Sequence, residues 1–196
     1  LDETPVYVNQ STASVAATYS DAGTGVDADA VELTVDGATQ SLASVNVSAL
    51  DAEVALSDGT YAVGLRVVDN SSNVRRLNTT VVVDTDAPAV AVDPARTDRV
   101  SERRPVDIEV DSDDVNPGTT WVRVANASTG EEGASWNVTG DLVGGPAAVT
   151  WNATDGDGDP VPTGDYDVEV RSVDAAGNVN ATNTTVAVDN AAPTVA

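Results

Sequence analysis

The segment Val83–Ala91 reads VDTDAPAVA, and Val188–Ala196 reads VDNAAPTVA. The likeness extends upstream without a gap. GTYAVGLRVVDNSSNVRRLNTTVVVDTDAPAVA (Gly59–Ala91) aligns with GDYDVEVRSVDAAGNVNATNTTVAVDNAAPTVA (Gly164–Ala196) at a constant offset of 105 residues. Gly59 meets Gly164, Tyr61 meets Tyr166, Arg66 meets Arg171, Asp69 meets Asp174, Asn73 meets Asn178 and Pro88 meets Pro193. A period of this length is too long for a solenoid unit and suits a whole small domain. Two domains follow, over residues 1–87 and 88–190, with residues 191–196 standing where a further repeat or linker would begin.

Each copy closes with one supersecondary unit. Tyr61, Val63, Leu65 and Val67 alternate with small or polar residues, the period of a half-buried strand. DNSSN and DAAGN then supply turn residues, and Thr79–Val83 and Thr184–Val188 supply the return strands. Upstream, short strands are expected near Ser14–Tyr19, Val31–Val35, Ser44–Ser48 and Val54–Leu56, with an Asp36–Gly37 turn. In the second copy they are expected near Pro105–Asp111, Thr119–Ala125, Ser135–Val138 and Ala148–Ala153. No window keeps a sustained apolar stripe at helical period. Short strands punctuated by Gly, Pro, Asn and Asp predict an all-β chain of two β-sandwich domains.

The hairpin G-x-Y-x-V-x-V-x-x-x-D-x-x-G-N followed by V-D-x-x-A-P-x-V resembles the immunoglobulin-like repeats of large prokaryotic surface proteins. The match is fullest over Gly164–Ala196 and good over Gly59–Ala91, where Ser72 replaces the usual glycine. Asp21–Gly37 is similar to the early strands of the same repeat. The resemblance implies tandem immunoglobulin-like β-sandwich domains, an architecture more than an activity, because such repeats serve as spacers, lattice subunits and adhesin stalks.

Charge narrows the partners. Against 32 acidic residues stand 9 basic ones, all of them arginine, for a net charge of -23. Phosphate backbones need clustered cations, and the nearest approach to one (Arg96, Arg99, Arg103 and Arg104) is interleaved with Asp98 and Glu102. Nucleic acid is therefore not an expected partner. The acid is spread along the whole chain among alternating apolar residues, which argues against a disordered acidic tail and for a surface kept wet in concentrated salt. The lack of Lys and the small apolar vocabulary resemble proteins of extremely halophilic archaea.

The absence of His and Cys excludes disulfides, His-based zinc sites and Ser-His-Asp or Cys-His nucleophile systems. A carboxylate pair, as in glycoside hydrolysis, is the remaining catalytic constellation, and nothing selects one pair among so many acids. The chain is not expected to be an enzyme. No run approaches the length of an apolar membrane span, so no transmembrane segment is expected in this chain.

N-x-[ST] sequons begin at Asn9, Asn46, Asn70, Asn78, Asn126, Asn137, Asn152, Asn180 and Asn183. They point to N-linked glycans on a surface glycoprotein, and the alternative is that Asn and Thr merely suit β edges and turns. Asn78 and Asn183 share a repeat position. Calcium is the candidate ion at Asp155, Asp157 and Asp159, where DGDGD lets a tight backbone point several oxygens inward; the alternative is a solvated acidic turn. DSDDVN (Asp111–Asn116) is a weaker loop of the same kind. The VDNAAP segment is also similar to cadherin linkers, in which Asp and Asn hold interdomain calcium. The matching positions are Asp189 and Asn190, with Asp84 and Asp86 in the first copy. Trp121, Trp136 and Trp151 suit core or half-buried places, or else a sugar-stacking platform.

These readings converge on a structural module of an extracellular cell-surface glycoprotein of a halophile, in a surface layer or other surface assembly. Its partners would be other copies or domains of the same protein. The alternatives are stalk domains of an adhesin or filament, and a carbohydrate-binding module of a secreted enzyme.

Overall fold

The computed structural model describes residues 5–195. The chain divides into two compact units, Leu1–Asp86 and Ala87–Ala196. Of the segment 191–196 expected to open a further repeat, Ala196 lies outside the described residues, and the rest carries no regular structure.

The first unit contains β1 (Val6–Val8), β2 (Thr12–Thr18), a single 3-10 turn (Ala28–Ala30), β3 (Glu32–Val35), β4 (Ala38–Thr39), β5 (Ser44–Val45), β6 (Ala49–Ala55), β7 (Gly59–Val68) and β8 (Val74–Val83). One sheet has the order β1-β8-β7-β3-β4 and the other β2-β6-β5. Alternation decides which side chains meet between them. Ala52 and Val54 of β6 face Leu33, Val35, Val63, Val81 and Val83 of the larger sheet, while Leu50 packs with Val26 and Val31 in a second cluster. Asp36 and Gly37 both take positive φ, 48° and 80°, and form the two-residue hairpin between β3 and β4.

The second unit contains β9 (Ala89–Pro94), β10 (Val106–Asp113), β11 (Thr119–Asn126), β12 (Glu132–Asn137), β13 (Ala147–Trp151), β14 (Gly164–Val173) and β15 (Val179–Val188). Its sheets have the orders β13-β10-β9 and β12-β11-β14-β15. Val106, Ile108 and Val110 of β10 meet Val122, Val124, Val168, Val170 and Val186 in a core from which solvent is excluded. Trp151 supplies the largest side chain there and lies against Tyr166, ring centroids 5.3 Å apart.

Each unit is thus a pair of face-packed, mainly antiparallel sheets of immunoglobulin-like type. A tyrosine corner supports that description twice over. Tyr61 donates to the Ser57 carbonyl at 2.9 Å, and Tyr166 to the Pro162 carbonyl at 3.0 Å, each reaching four residues back across the bend before its strand.

The hairpin strands extend further than the local pattern predicts. Strand β8 begins at Val74 rather than Thr79, because Leu77 and, despite their charge, Arg75 and Arg76 keep the ladder to β7. Strand β6 begins at Ala49 rather than Val54, its alternation carried by small alanines. Strands β1, β4 and β9 have no counterpart among the strands expected from sequence.

Candidate functional site

The turn that joins the last two strands of each unit is closed by a carboxylate. In the second unit, Asp174 Oδ1 accepts from the Asn178 amide at 2.8 Å, and its Oδ2 accepts from Asn178 Nδ2, also at 2.8 Å. In the first, Asp69 takes the same two bonds from Asn73 at 2.8 and 2.7 Å and a third from the Ser71 amide at 2.9 Å. The left-handed position within the turn is Gly177 (φ 93°) in one copy and Ser72 (φ 67°) in the other. The Asn73 side-chain amide, followed by its backbone N–H, holds the Asp69 carboxyl below the ordinary carboxylate value.

Asp174 is buried at 5% exposure and has a second carboxylate close by. Ligand oxygens of Asp114 and Asp174 lie within 4.8 Å of one another. Asp114 accepts from the Asn116 amide at 2.7 Å, and the Asn116 carbonyl accepts from the Ala175 amide at 2.9 Å. The β10–β11 and β14–β15 connections are therefore stitched together where the two acids meet. A hydroxyl chain continues inward, Ser112 and Thr120 each reaching Ser172 at 2.9 Å. Two carboxylates at this spacing are the kind of pair that a divalent cation can bridge in principle. Sequence reading named Asp114 within the Asp111–Asn116 loop but took Asp174 only as a turn residue. Their approach is 60 residues apart in the chain and has no signature in spacing.

The Asp155–Asp159 loop is a closed acidic turn. Asp155 Oδ1 accepts from the amides of Asp157 and Asp159 at 3.0 and 2.9 Å, and Gly158 takes φ 88°. Asp157 and Asp159 are exposed. One oxygen of Asp155 is committed to the turn, which leaves its other oxygen and the two exposed carboxylates to face solvent or an ion.

The linker residues of the repeat do structural work. Asn190 Nδ2 donates to the carbonyls of Val161 and Ala153 at 2.8 and 3.2 Å, while its Oδ1 accepts from the Glu102 amide at 3.2 Å. Asp189 accepts from the Ala191 amide at 3.3 Å. In the first unit, Asp84 is buried and accepts from the Asp86 amide at 3.2 Å.

The sequon asparagines Asn9, Asn46, Asn70, Asn78, Asn137, Asn152, Asn180 and Asn183 are exposed, and Asn126 is half-buried. Their side chains have different duties. Asn70 Nδ2 donates to the Thr24 carbonyl and Asn180 Nδ2 to the Pro88 carbonyl, both at 2.8 Å. Asn46, Asn126 and Asn137 instead use Oδ1 to cap turn amides. Asn183 is paired with Glu169 across the ladder, and Asn78 with Gly64.

The tryptophans are not on one face. Trp121 points outward from β11 at 46% exposure, Trp136 is half-buried against the core, and Trp151 is in it. Trp151 Nε1 donates to the Thr154 carbonyl at 2.9 Å, which satisfies its polar atom.

Among the described residues no helix is long and apolar enough to cross a membrane. No family model matches the chain, and no curated protein matches it. Solved structures do. A tetra-tandem repeat in the extending region of a large adhesion protein aligns at 18% identity and TM-score 0.45, over 94% of this chain and 48% of that one. Dimeric latent PorU from Porphyromonas gingivalis aligns at 18% identity and TM-score 0.42, over 94% of this chain and 19% of that one. The amphioxus IgVJ-C2 molecule aligns at 11% identity and TM-score 0.39, over 92% of this chain and 99% of that one. The chain thus spans less than half the length of the first two.

Proposed function

We propose that this chain is a non-catalytic structural segment of an extracellular cell-surface glycoprotein, built from tandem immunoglobulin-like domains that act as spacers in a stalk. The observation that carries the reading is the duplicated closing unit. The tyrosine corner, the Asp–Asn turn latch and the paired final strands recur at the same offset in both copies. Duplication preserves the framework, while the Asp155–Asp159 loop and all three tryptophans occur in the second copy alone, as expected of a repeated building element rather than a repeated active site. Nine sequons agree with exposure to an outside medium, and a net charge of -23 with a saline one.

Assembly tests the reading. A spacer remains monomeric in analytical ultracentrifugation at high salt and with added calcium. A subunit of a surface lattice, the second reading, forms ordered sheets under the same conditions, visible by electron microscopy; its support is the number of exposed sequons, which suits a glycan-coated layer. Glycopeptide mapping of protein from its native source tests the glycoprotein assignment, and complete absence of sugar would remove it.

Calcium at Asp155, Asp157 and Asp159 belongs to the same proposal. The ion would be held by the exposed oxygens of a loop that Asp155 already closes. Calorimetric titration at constant high ionic strength should show one saturable site that Asp157→Ala abolishes. An absence of saturable heat at millimolar calcium would mark the loop as plain acidic surface.

A further inference from the structure

Among the described residues, Trp121 is the one aromatic side chain on the outer face of the β12-β11-β14-β15 sheet. Alternation along β11 turns Val122 and Val124 into the core and Trp121 and Arg123 outward, and Trp121 is left 46% exposed. Tyr166 on β14 and Trp136 on β12 belong to the opposite, core-facing set. A contact that covers the exposed indole removes apolar area from water.

The ladder fixes the neighbours of that ring. Across β12 Trp121 is directly opposite Asn137, and across β14 it is opposite Arg171. The Val138 amide donates to the Thr120 carbonyl at 3.0 Å. Thr120–Val138 is thus a hydrogen-bonded pair, and Trp121–Asn137 beside it is of the closer, non-hydrogen-bonded kind. Side chains of such a pair stand on one face with Cβ atoms about 4.5–5.5 Å apart. Asn137 opens the sequon completed by Val138 and Thr139. Its Oδ1 accepts from the Thr139 amide at 3.1 Å, which directs Nδ2 away from that turn, and the residue is exposed. No other sequon in a described ladder has this arrangement. Asn78 is opposite Gly64, Asn180 opposite Ser172 and Asn183 opposite Glu169, while Asn126 is opposite Tyr166, whose ring is buried.

We propose that Trp121 is the seat of an N-linked glycan carried by Asn137. The first sugar ring, attached through Nδ2, lies with its C–H face against the indole, and its hydroxyls face water and Arg171. The inference rests on the glycoprotein reading above and names a second partner for that sugar within the fold. A pyranose ring suits the place because one of its faces presents C–H bonds and its rim presents hydroxyls. The indole offers the apolar surface, and its exposed neighbours Arg123, Asn137 and Arg171 offer polar groups around it. A tethered ring needs no separate capture step, since attachment at the opposite residue keeps its local concentration high.

The test compares the full chain, Asn137→Gln, Trp121→Ala and the double variant, each made in the native host and in a host without N-glycosylation. Glycopeptide mapping of the native-host chain should find Asn137 occupied. In that set Asn137→Gln should lower the melting temperature by about 4 °C and increase the quenching of tryptophan fluorescence by acrylamide. Both changes should vanish in the Trp121→Ala background. The unglycosylated set measures what the substitution does to the Thr139 cap alone, and there the presence of Trp121 should make no difference to it. Three results overturn the seat and leave the glycoprotein reading standing: Asn137 bare where other sequons carry sugar, an Asn137→Gln effect equal with and without Trp121, or quenching of the Asn137→Gln chain that falls as protein concentration rises, which identifies a second copy as the cover of the ring. A native-host chain with no sugar at any sequon overturns both.

Discussion

Asp174 and Asn178 hold each other twice, through the Asn178 backbone amide and through its side-chain amide, both at 2.8 Å. The pair closes the turn before the final strand and sets the entry point of β15. Asp174→Ala removes both acceptors from a buried position and should cost about 1–3 kcal/mol. Asn178→Ala keeps the backbone donor and should cost about 1 kcal/mol. Because the pair acts as a unit, the double variant should fall short of the sum, which urea unfolding of all three chains would reveal.

The homologous carboxylate in the first unit gives a pH signature. Asp69 is held below its ordinary value by Asn73, and Glu132 by the Ser135 hydroxyl and then Arg123. A folded-state value below the unfolded one contributes stability at pH above the unfolded value, and that contribution disappears as pH falls through the folded value. The stability difference between the native chain and Asp69→Asn should therefore be full near neutrality and shrink below about pH 4. A difference independent of pH in denaturant titrations would mean that the charge of Asp69 contributes nothing.

Ser72 adopts φ 67° where Gly177 adopts 93°. A side chain in this region is disfavoured, while glycine costs some unfolded-state entropy. Ser72→Gly should stabilise the first unit by about 0.5–1 kcal/mol. The reciprocal Gly177→Ser should destabilise the second by a similar amount, and a melting-temperature comparison of both variants checks the sign.

Salt should stabilise the whole chain. A net charge of -23 is self-repelling, and the screening length falls from about 10 Å at 0.1 M to about 3 Å at 1 M salt. Cores of valine, alanine and leucine leave little surplus to offset that repulsion. The melting temperature should rise steadily from low to molar potassium chloride, and a flat response would remove the halophilic assignment.

Sequon occupancy should follow the duties of the amide nitrogen. Asn70 and Asn180 already spend Nδ2 on backbone carbonyls, whereas Asn183 is exposed at mid-strand. Glycopeptide mapping should find Asn183 occupied more fully than Asn70 or Asn180. The reverse order would show that these hydrogen bonds yield readily to the modification.

Legibility in sequence tracked the physics of each element. Strands β7, β8, β14 and β15 could be read because strict alternation and a gapless repeat reinforced one another. Strand β9 was hidden because Ala89–Pro94 lies between prolines and resembles a stiff junction, and it is a strand only by virtue of the β10 edge and the core beside it. At the sites, the alternation of Asp and Gly announced a tight acidic loop, but not that Asp155 turns an oxygen onto the amides of Asp157 and Asp159. The meeting of Asp114 with Asp174 depends on two connections packing side by side, a tertiary fact that local spacing does not encode.

Strand β1 runs parallel to β8, with Val6, Tyr7 and Val8 opposite Val81, Val82 and Val83. Tension that draws the ends of the first unit apart pulls these neighbours in opposite directions along their common axis. Their hydrogen bonds then fail together in shear instead of unzipping singly. In the second unit the corresponding parallel contact surrounds the Val100–Val188 bridge, where Ala187 donates to Thr97 and accepts from Val100, and Asp189 donates to Val100. Single-molecule pulling should therefore find the yield force of the first unit governed by the register of a three-residue strand rather than by the size of the core.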